Sequence, residues 1–265
     1  MKKQITYLSR SFLPVLVLIL LLSWSQSAKP VREFYQLTVY HFATSVQEKM
    51  LNNYFQNALL PALHRAGINN VGVLKALTND TTADKLLYVL MSVKSMEMLT
   101  KLPAKLNADK DYQAAGVEYT NAEYTNPPYS RMETILLKAF PLAPEMQTPT
   151  LKNEKKDRVY ELRSYESATE KIFKNKVQMF NEGDEIGLFK RLNFNAIFYA
   201  EVIAGHKMPN LMYMTGFENM ADRDAHWKNF RDDPFWKKLS AMPEYQHNVS
   251  HIDIIFLRPV DYSDF

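Results

Sequence analysis

Apolar residues along this chain keep two rhythms, and the order in which those rhythms follow one another occurs twice. EFYQLTVYH at 33–41 and RVYELRSYE at 158–166 share Tyr-x-Leu-x-x-Tyr, as Tyr35, Leu37, Tyr40 and, 125 positions on, Tyr160, Leu162, Tyr165. Such alternation predicts a strand. Each strand leads into a Ser-x-x-Glu pattern, Ser45 to Glu48 and Ser167 to Glu170, which reads as a helix capping box. Leu51, Tyr54, Phe55, Ala58 and Leu59 then recur every three or four positions. That spacing predicts an amphipathic helix, which Pro61 should kink or split and Gly67 should stop. β-like runs follow at 71–77 and 197–203, polar turns at Asn79-Asp80 and Gly205-His206, and further β-like runs at 86–91 and 211–217. Tyr88 and Tyr213 align there, again 125 apart. Helical stretches near 95–106 and 219–231 and strands at 133–140 and 249–257 complete each unit, with Pro141 and Pro259 just beyond. Both units read β-α-β-β-α-β, the split βαβ arrangement.

This pattern predicts an α+β chain of two tandem halves, 29–141 and 157–265, joined by a linker at 142–156 that carries Pro144, Pro149 and a charged run. A four-stranded sheet with helices on one face must cover the other. The second half is the partner at hand, so the two sheets are expected to pair within one chain as a barrel. On the strand 158–166, Tyr160 and Leu162 are expected to face the helices. Glu161, Arg163 and Tyr165 would then face the partner sheet.

Residues 1–28 stand apart. Lys2, Lys3 and Arg10 precede an apolar run at 12–24 and a small-residue stretch ending at Ala28, which predicts a secretory signal peptide. The protein is therefore expected to be exported, to the periplasm or the exterior if bacterial, with no membrane span once the signal is cleaved. Without the leader's three cations the 32 basic residues fall to 29, equal to the 29 acidic ones. A neutral chain argues against a nucleic-acid partner. With no cysteine, thiolate metal sites and cysteine nucleophiles are excluded. Gly-rich phosphate loops, Gly-x-Ser-x-Gly and His-Glu-x-x-His are also absent from the sequence.

The charges that distinguish the two copies are the first candidates for chemistry. Glu161 and Arg163 stand where the first copy has Gln36 and Thr38. They read either as an ion pair docking the two halves, or as a cluster for an anionic or enolic substrate. In the second case Arg163 is the charge clamp and Glu161 or Tyr165 does acid–base work. Asn210, Tyr213, Trp236 and His251 are candidate ligand-binding residues, each with a simpler role as turn, core or strand residue. His251 shares strand parity with Asp253, which could orient its imidazole. His247 and His251 lie four apart on a presumptive strand, about 13 Å, so no metal site is expected.

The second half resembles a NIPSNAP domain of the dimeric α+β barrel superfamily. The residues that carry the resemblance are Tyr160-Glu161-Leu162-Arg163-x-Tyr165, Gly205 followed by Asn210, Met220-Ala221-Asp222-Arg223 and Asp233-Pro234-Phe235-Trp236. The first half matches more weakly, through Tyr-x-Leu-x-x-Tyr and Asp109-Lys110-Asp111-Tyr112. The resemblance implies ferredoxin-like halves pairing sheet to sheet. It also implies relatives that include small oxygenases, isomerase-like enzymes and haem-binding proteins. The expected function is binding of a small, partly apolar ligand, with cofactor-light oxygenase- or isomerase-type chemistry in the second half as its catalytic form. No cofactor is expected. A non-catalytic scaffold and a haem or porphyrin binder are the alternatives, and homo-oligomers are left open.

Overall fold

The computed structural model describes residues 31–265; the expected signal peptide at 1–28 lies outside the described residues. These residues form one compact unit, and no helix among them is long and apolar enough to cross a membrane. The strands are β1 (Phe34–Phe42), β2 (Gly72–Ala76), β3 (Lys85–Val93), β4 (Arg131–Ala139), β5 (Val159–Glu166), β6 (Asn195–Ala204), β7 (Asn210–Phe217) and β8 (His251–Pro259). Helices α1 (Ser45–Tyr54), α2 (Leu60–Arg65), α3 (Met96–Ala108), α4 (Lys110–Ala115) and α5 (Val117–Thr120) belong to the first half. The second half carries α6 (Glu170–Asn181), α7 (Glu185–Arg191), α8 (Met220–Asp232) and α9 (Pro234–Ser240). Just ahead of Pro61 the helix widens into a π turn over Phe55–Leu59, so the proline is accommodated by a change of winding.

The first helix of each half starts one or two residues from where the serines suggested. Thr44 caps α1 and forms the reciprocal box with Gln47, while Thr169 caps α6 by accepting from the Ile172 N–H. Ser167 instead donates to the Asn248 carbonyl at 2.8 Å, tying the end of β5 to the segment before β8.

The eight antiparallel strands close into a barrel in the order β1-β3-β2-β8-β5-β7-β6-β4. Each half contributes four adjacent strands in the same lateral order. The halves join edge to edge, β2 on β8 and β4 on β6, which leaves no open sheet edge among the described residues. The inner faces then meet across one core containing Tyr35, Leu37, Tyr88, Tyr160, Leu162, Met212, Met214 and Leu257. Helices pack on the outer faces, over Tyr40, Phe42 and Val89 in the first half and over Tyr165, Tyr213 and Phe217 in the second.

This placement reverses the expected facing of β5. Tyr160 and Leu162 point into the barrel, and Glu161, Arg163 and Tyr165 point outward to the helices. The two charges therefore cannot dock one half on the other; they act within the second half. The alignment of Tyr88 with Tyr213 is also corrected. Thr38 pairs with Val89 and Arg163 with Tyr213, so the counterpart of Tyr213 is Val89, one residue along. A slip of one residue moves a side chain to the opposite face. Tyr88 is accordingly in the barrel and Tyr213 under the helices.

The segment 142–156 connects the halves as a fastened strap. The Gln147 N–H donates to the Ile197 carbonyl at 2.8 Å, and the Glu218 carboxylate accepts from the Lys152 and Asn153 N–H groups at 2.8 and 2.7 Å. At the end of the chain Asp264 accepts from the Val71 N–H at 2.7 Å, and the Phe265 ring enters the barrel core beside Tyr160, with centroids 6.0 Å apart. Gly72 admits that ring, because a Cβ there would lie 2.6 Å from the Phe265 Cζ. Gly72→Ala should therefore cost about 1–3 kcal/mol by overpacking, read as a lower urea midpoint. In a Phe265→Leu background the cost should largely disappear, and an equal loss in both backgrounds would contradict the packing account.

Candidate functional site

Glu161 is the centre of the polar structure under the second half's helices. It is fully buried, and both carboxylate oxygens are occupied. Oε1 accepts from Arg163 Nε and, at 3.2 Å, from Arg223 Nη2; Oε2 accepts from Arg223 Nε at 2.6 Å and Trp227 Nε1 at 2.9 Å. Strand parity aims Glu161 and Arg163 at α8. Arg223 and Trp227, four apart on that helix, meet them from one helical face. The Arg163 guanidinium lies 3.7 Å from the Trp227 ring centroid, and its Nη1 donates to the Tyr165 hydroxyl at 3.1 Å. Burial works against the Arg163 charge, but Tyr213, Tyr165 and Glu161 outweigh it and lift its pKa above the ordinary value. With four donors on two oxygens, Glu161 is an anchor for two arginines and a tryptophan. The acid–base role expected for it is not what this geometry provides.

Beside this hub is a cleft of about 160 Å³, bordered by Arg163, Tyr165, Glu185, Tyr213, Trp227, Phe230, Arg231 and Trp236. The Tyr165 and Tyr213 hydroxyls are hydrogen-bonded at 2.9 Å. Glu185 is buried and paired with Lys176 at 2.9 Å, and the Lys176 ammonium lies 4.7 Å from the Phe180 ring centroid. Burial, reinforced by the Tyr165 oxygen, holds the Tyr213 phenol well above its ordinary pKa; burial and the Glu185 carboxylate do the same for Tyr199.

The first half has a hollow in the corresponding place without the charges. Gln36 donates to Thr38 at 3.0 Å where Glu161 and Arg163 pair, and the space, about 260 Å³, is lined by Tyr40, Tyr54, Tyr112 and aliphatic side chains. A larger surface groove of about 670 Å³ runs between the strap 142–149, α7 and the start of β6. It borders the rear of the same helix layer but contains none of the residues singled out from the sequence.

The seven candidate residues divide between the two faces of the sheet. Arg163, Tyr165, Tyr213 and Trp236 come together at the cleft, with Glu161 behind them. Asn210 and His251 lie instead on the barrel's inner face, at the mouth where β5 runs between β7 and β8. Asn210 Nδ2 donates to Ser164 Oγ at 2.8 Å, and His251 Nε2 is 3.2 Å from Asp253 Oδ1. The expected parity of His251 with Asp253 is thus observed. Trp227, Glu185 and Lys176 were not singled out from the sequence. Trp227 was within reach, four residues past Arg223, whereas Lys176 and Glu185 meet only through the turn between α6 and α7.

Residues 160–264 match the family model described as NIPSNAP, so the second half of the chain carries a NIPSNAP domain. A search of curated proteins finds no match. Among solved structures, a candidate monooxygenase from Lactobacillus acidophilus superimposes with a TM-score of 0.55 at 12% identity, over 86% of this chain and 94% of that one. A candidate monooxygenase from Fusobacterium nucleatum gives 0.53 at 7% identity, over 86% and 93%. A NIPSNAP family protein from Agrobacterium tumefaciens gives 0.36 at 20% identity, over 44% of this chain and 98% of that one. The first two likenesses place the chain among α+β barrels of this architecture.

Two outcomes test the site's physical description. Hydrogen bonds to a charged group contribute about 1.5–3 kcal/mol, and Glu161 keeps Arg163 and Trp227 when Arg223 is removed, so Arg223→Ala should lower unfolding free energy by that order in urea. A loss below about 1 kcal/mol would mean that Glu161 is not held as described. Tyr199 and Tyr213 have raised pKa values, so their contribution to stability is complete below the unfolded value of about 10 and is lost as pH rises beyond it. In alkaline titration their phenolate absorbance should therefore appear together with the loss of far-ultraviolet circular dichroism, not before it.

Proposed function

We propose that the second half of this chain binds a small acidic or enolic molecule carrying one aromatic ring, in the cleft between β5, β7 and the helices above them. The observation that carries this reading is Arg163, a buried guanidinium stacked on Trp227 and bordering a cleft walled by Tyr165, Tyr213, Phe230 and Trp236. A planar guanidinium suits an anionic or enolate oxygen, and the aromatic walls suit a flat ring. An engineered cavity of about 150 Å³ in another protein holds benzene. A cleft of about 160 Å³ therefore suits one ring and not a porphyrin, which favours this reading over haem binding.

The two proteins of similar fold are named as candidate monooxygenases. Cofactor-light oxygenase- or isomerase-type chemistry is the catalytic extension of the proposal, by analogy of fold. Glu185 is the carboxylate bordering the cleft that could take a proton in such a step, and Glu161 supports Arg163 from behind. The proposal includes export, on the pattern of residues 1–28, and an origin of both halves as ferredoxin-like copies of which the second kept the charges. The scaffold alternative draws support from the saturation of Glu161 by the protein's own donors.

Tryptophan emission separates the two readings. The chain has three tryptophans, and Trp227 and Trp236 both border the cleft. In full-length protein carrying Trp24→Phe, all emission then comes from the cleft walls. Titration with benzoate, salicylate and related single-ring acids should give saturable quenching, weakened at least tenfold by Arg163→Gln. Emission unchanged by every member of the set, in folded protein, would favour the scaffold.

A further inference from the structure

The barrel's inner face carries a second concentration of chemistry, separate from the cleft. At the mouth where β7, β5 and β8 run side by side, Glu166 is paired in register with Asn210 on one side and His251 on the other. All three continue the inward-facing positions of their strands, and Asp253 stands two residues from His251 on the same face. One ligand-type atom from each of Glu166, His251 and Asp253 lies within 4.8 Å of the other two, a relation not shared by His247. Asn210 is 98% buried, and its Oδ1 has no hydrogen-bond partner while its Nδ2 is held by Ser164. A buried amide oxygen left unpaired costs stability unless something donates to it.

We infer that Glu166, His251 and Asp253 form a site for a divalent transition-metal ion, with Asn210 Oδ1 placed to accept a hydrogen bond from water on that ion. An imidazole with two carboxylates is a donor set suited to zinc and its neighbours. Ligands on one such ion lie about 3–3.5 Å apart, given metal–ligand bonds of about 2.1 Å, so modest side-chain rotation closes the set. Three protein ligands leave a coordination position for water, the open type of site. Lys207, in the turn between β6 and β7, places its ammonium 2.5 Å from Asp253 Oδ2 and is the cation with which the metal ion competes. Burial opposes the Asp253 charge, but Lys207 and His251 outweigh it and hold its carboxyl below the ordinary range.

Calorimetric titration of the full-length protein with Zn²⁺, and with Co²⁺ followed by its visible absorption, tests the site. One ion per chain should bind. His251→Ala and Glu166→Gln should each weaken binding at least tenfold, Asn210→Ala should weaken it about tenfold, and Lys207→Gln should tighten it. Circular dichroism of each variant separates lost binding from lost fold, and Glu166→Gln keeps the test open should His251→Ala misfold. Absence of saturable binding overturns the inference. So does binding that survives His251→Ala and Glu166→Gln but is lost in His41→Ala, since His41 lies 2.9 Å from Asp84 and 3.4 Å from Glu133 elsewhere in the barrel.

Discussion

Closure of the sheet is the constraint from which the other features follow. Once β2 meets β8 and β4 meets β6, every strand has an inner face committed to the barrel and an outer face available to helices. Successive side chains alternate between these faces, so parity alone decides which of two separate interiors a residue enters. Tyr160 and Glu161 are neighbours in sequence, yet one contributes to the barrel core and the other to the helix layer. The same rule separates Tyr213 from Asn210 and thereby divides the candidate residues between the helix layer and the barrel mouth.

In the helix layer, the difference between the halves is a difference in how polar groups are satisfied. Glu161 in a fully buried position requires donors, and Arg163, Arg223 and Trp227 supply them. The first half has uncharged Gln36 and Thr38, which hydrogen-bond to one another and border a larger hollow with no charged side chain in its lining. Asymmetry of this kind is costly to keep for stability alone, since a buried ion network rarely outperforms well-packed apolar side chains. The ligand-facing role proposed for Arg163 would account for that cost, with the Glu161 carboxylate behind it orienting the guanidinium.

Much of the fold was legible in the sequence. The α+β class, the alternation of strands and helices and the closed barrel follow from periodicity and from the need to cover a sheet. Arg163, Tyr165, Tyr213 and Trp236, picked out by the sequence, border one cleft. What misled was facing. Tyr-x-Leu-x-x-Tyr offers apolar side chains on both parities, and in a strand buried on both faces apolarity does not say which face is which. The one-residue offset between Tyr88 and Tyr213 had the same origin, because the turns after β2 and β6 differ in length and apolar runs can be slid past each other without penalty in the pattern.

The sequence by itself determined the elements, their order and the identity of the charges that set the second half apart. These are local properties, carried by spacing, caps and turn residues. Only the tertiary structure decided that Glu161 faces α8, that Lys176 meets Glu185, and that Asn210, Glu166, His251 and Asp253 share one barrel mouth. Those relations join residues through strand register and helix docking. Register is fixed by barrel closure across the whole chain and has no signature within any one segment.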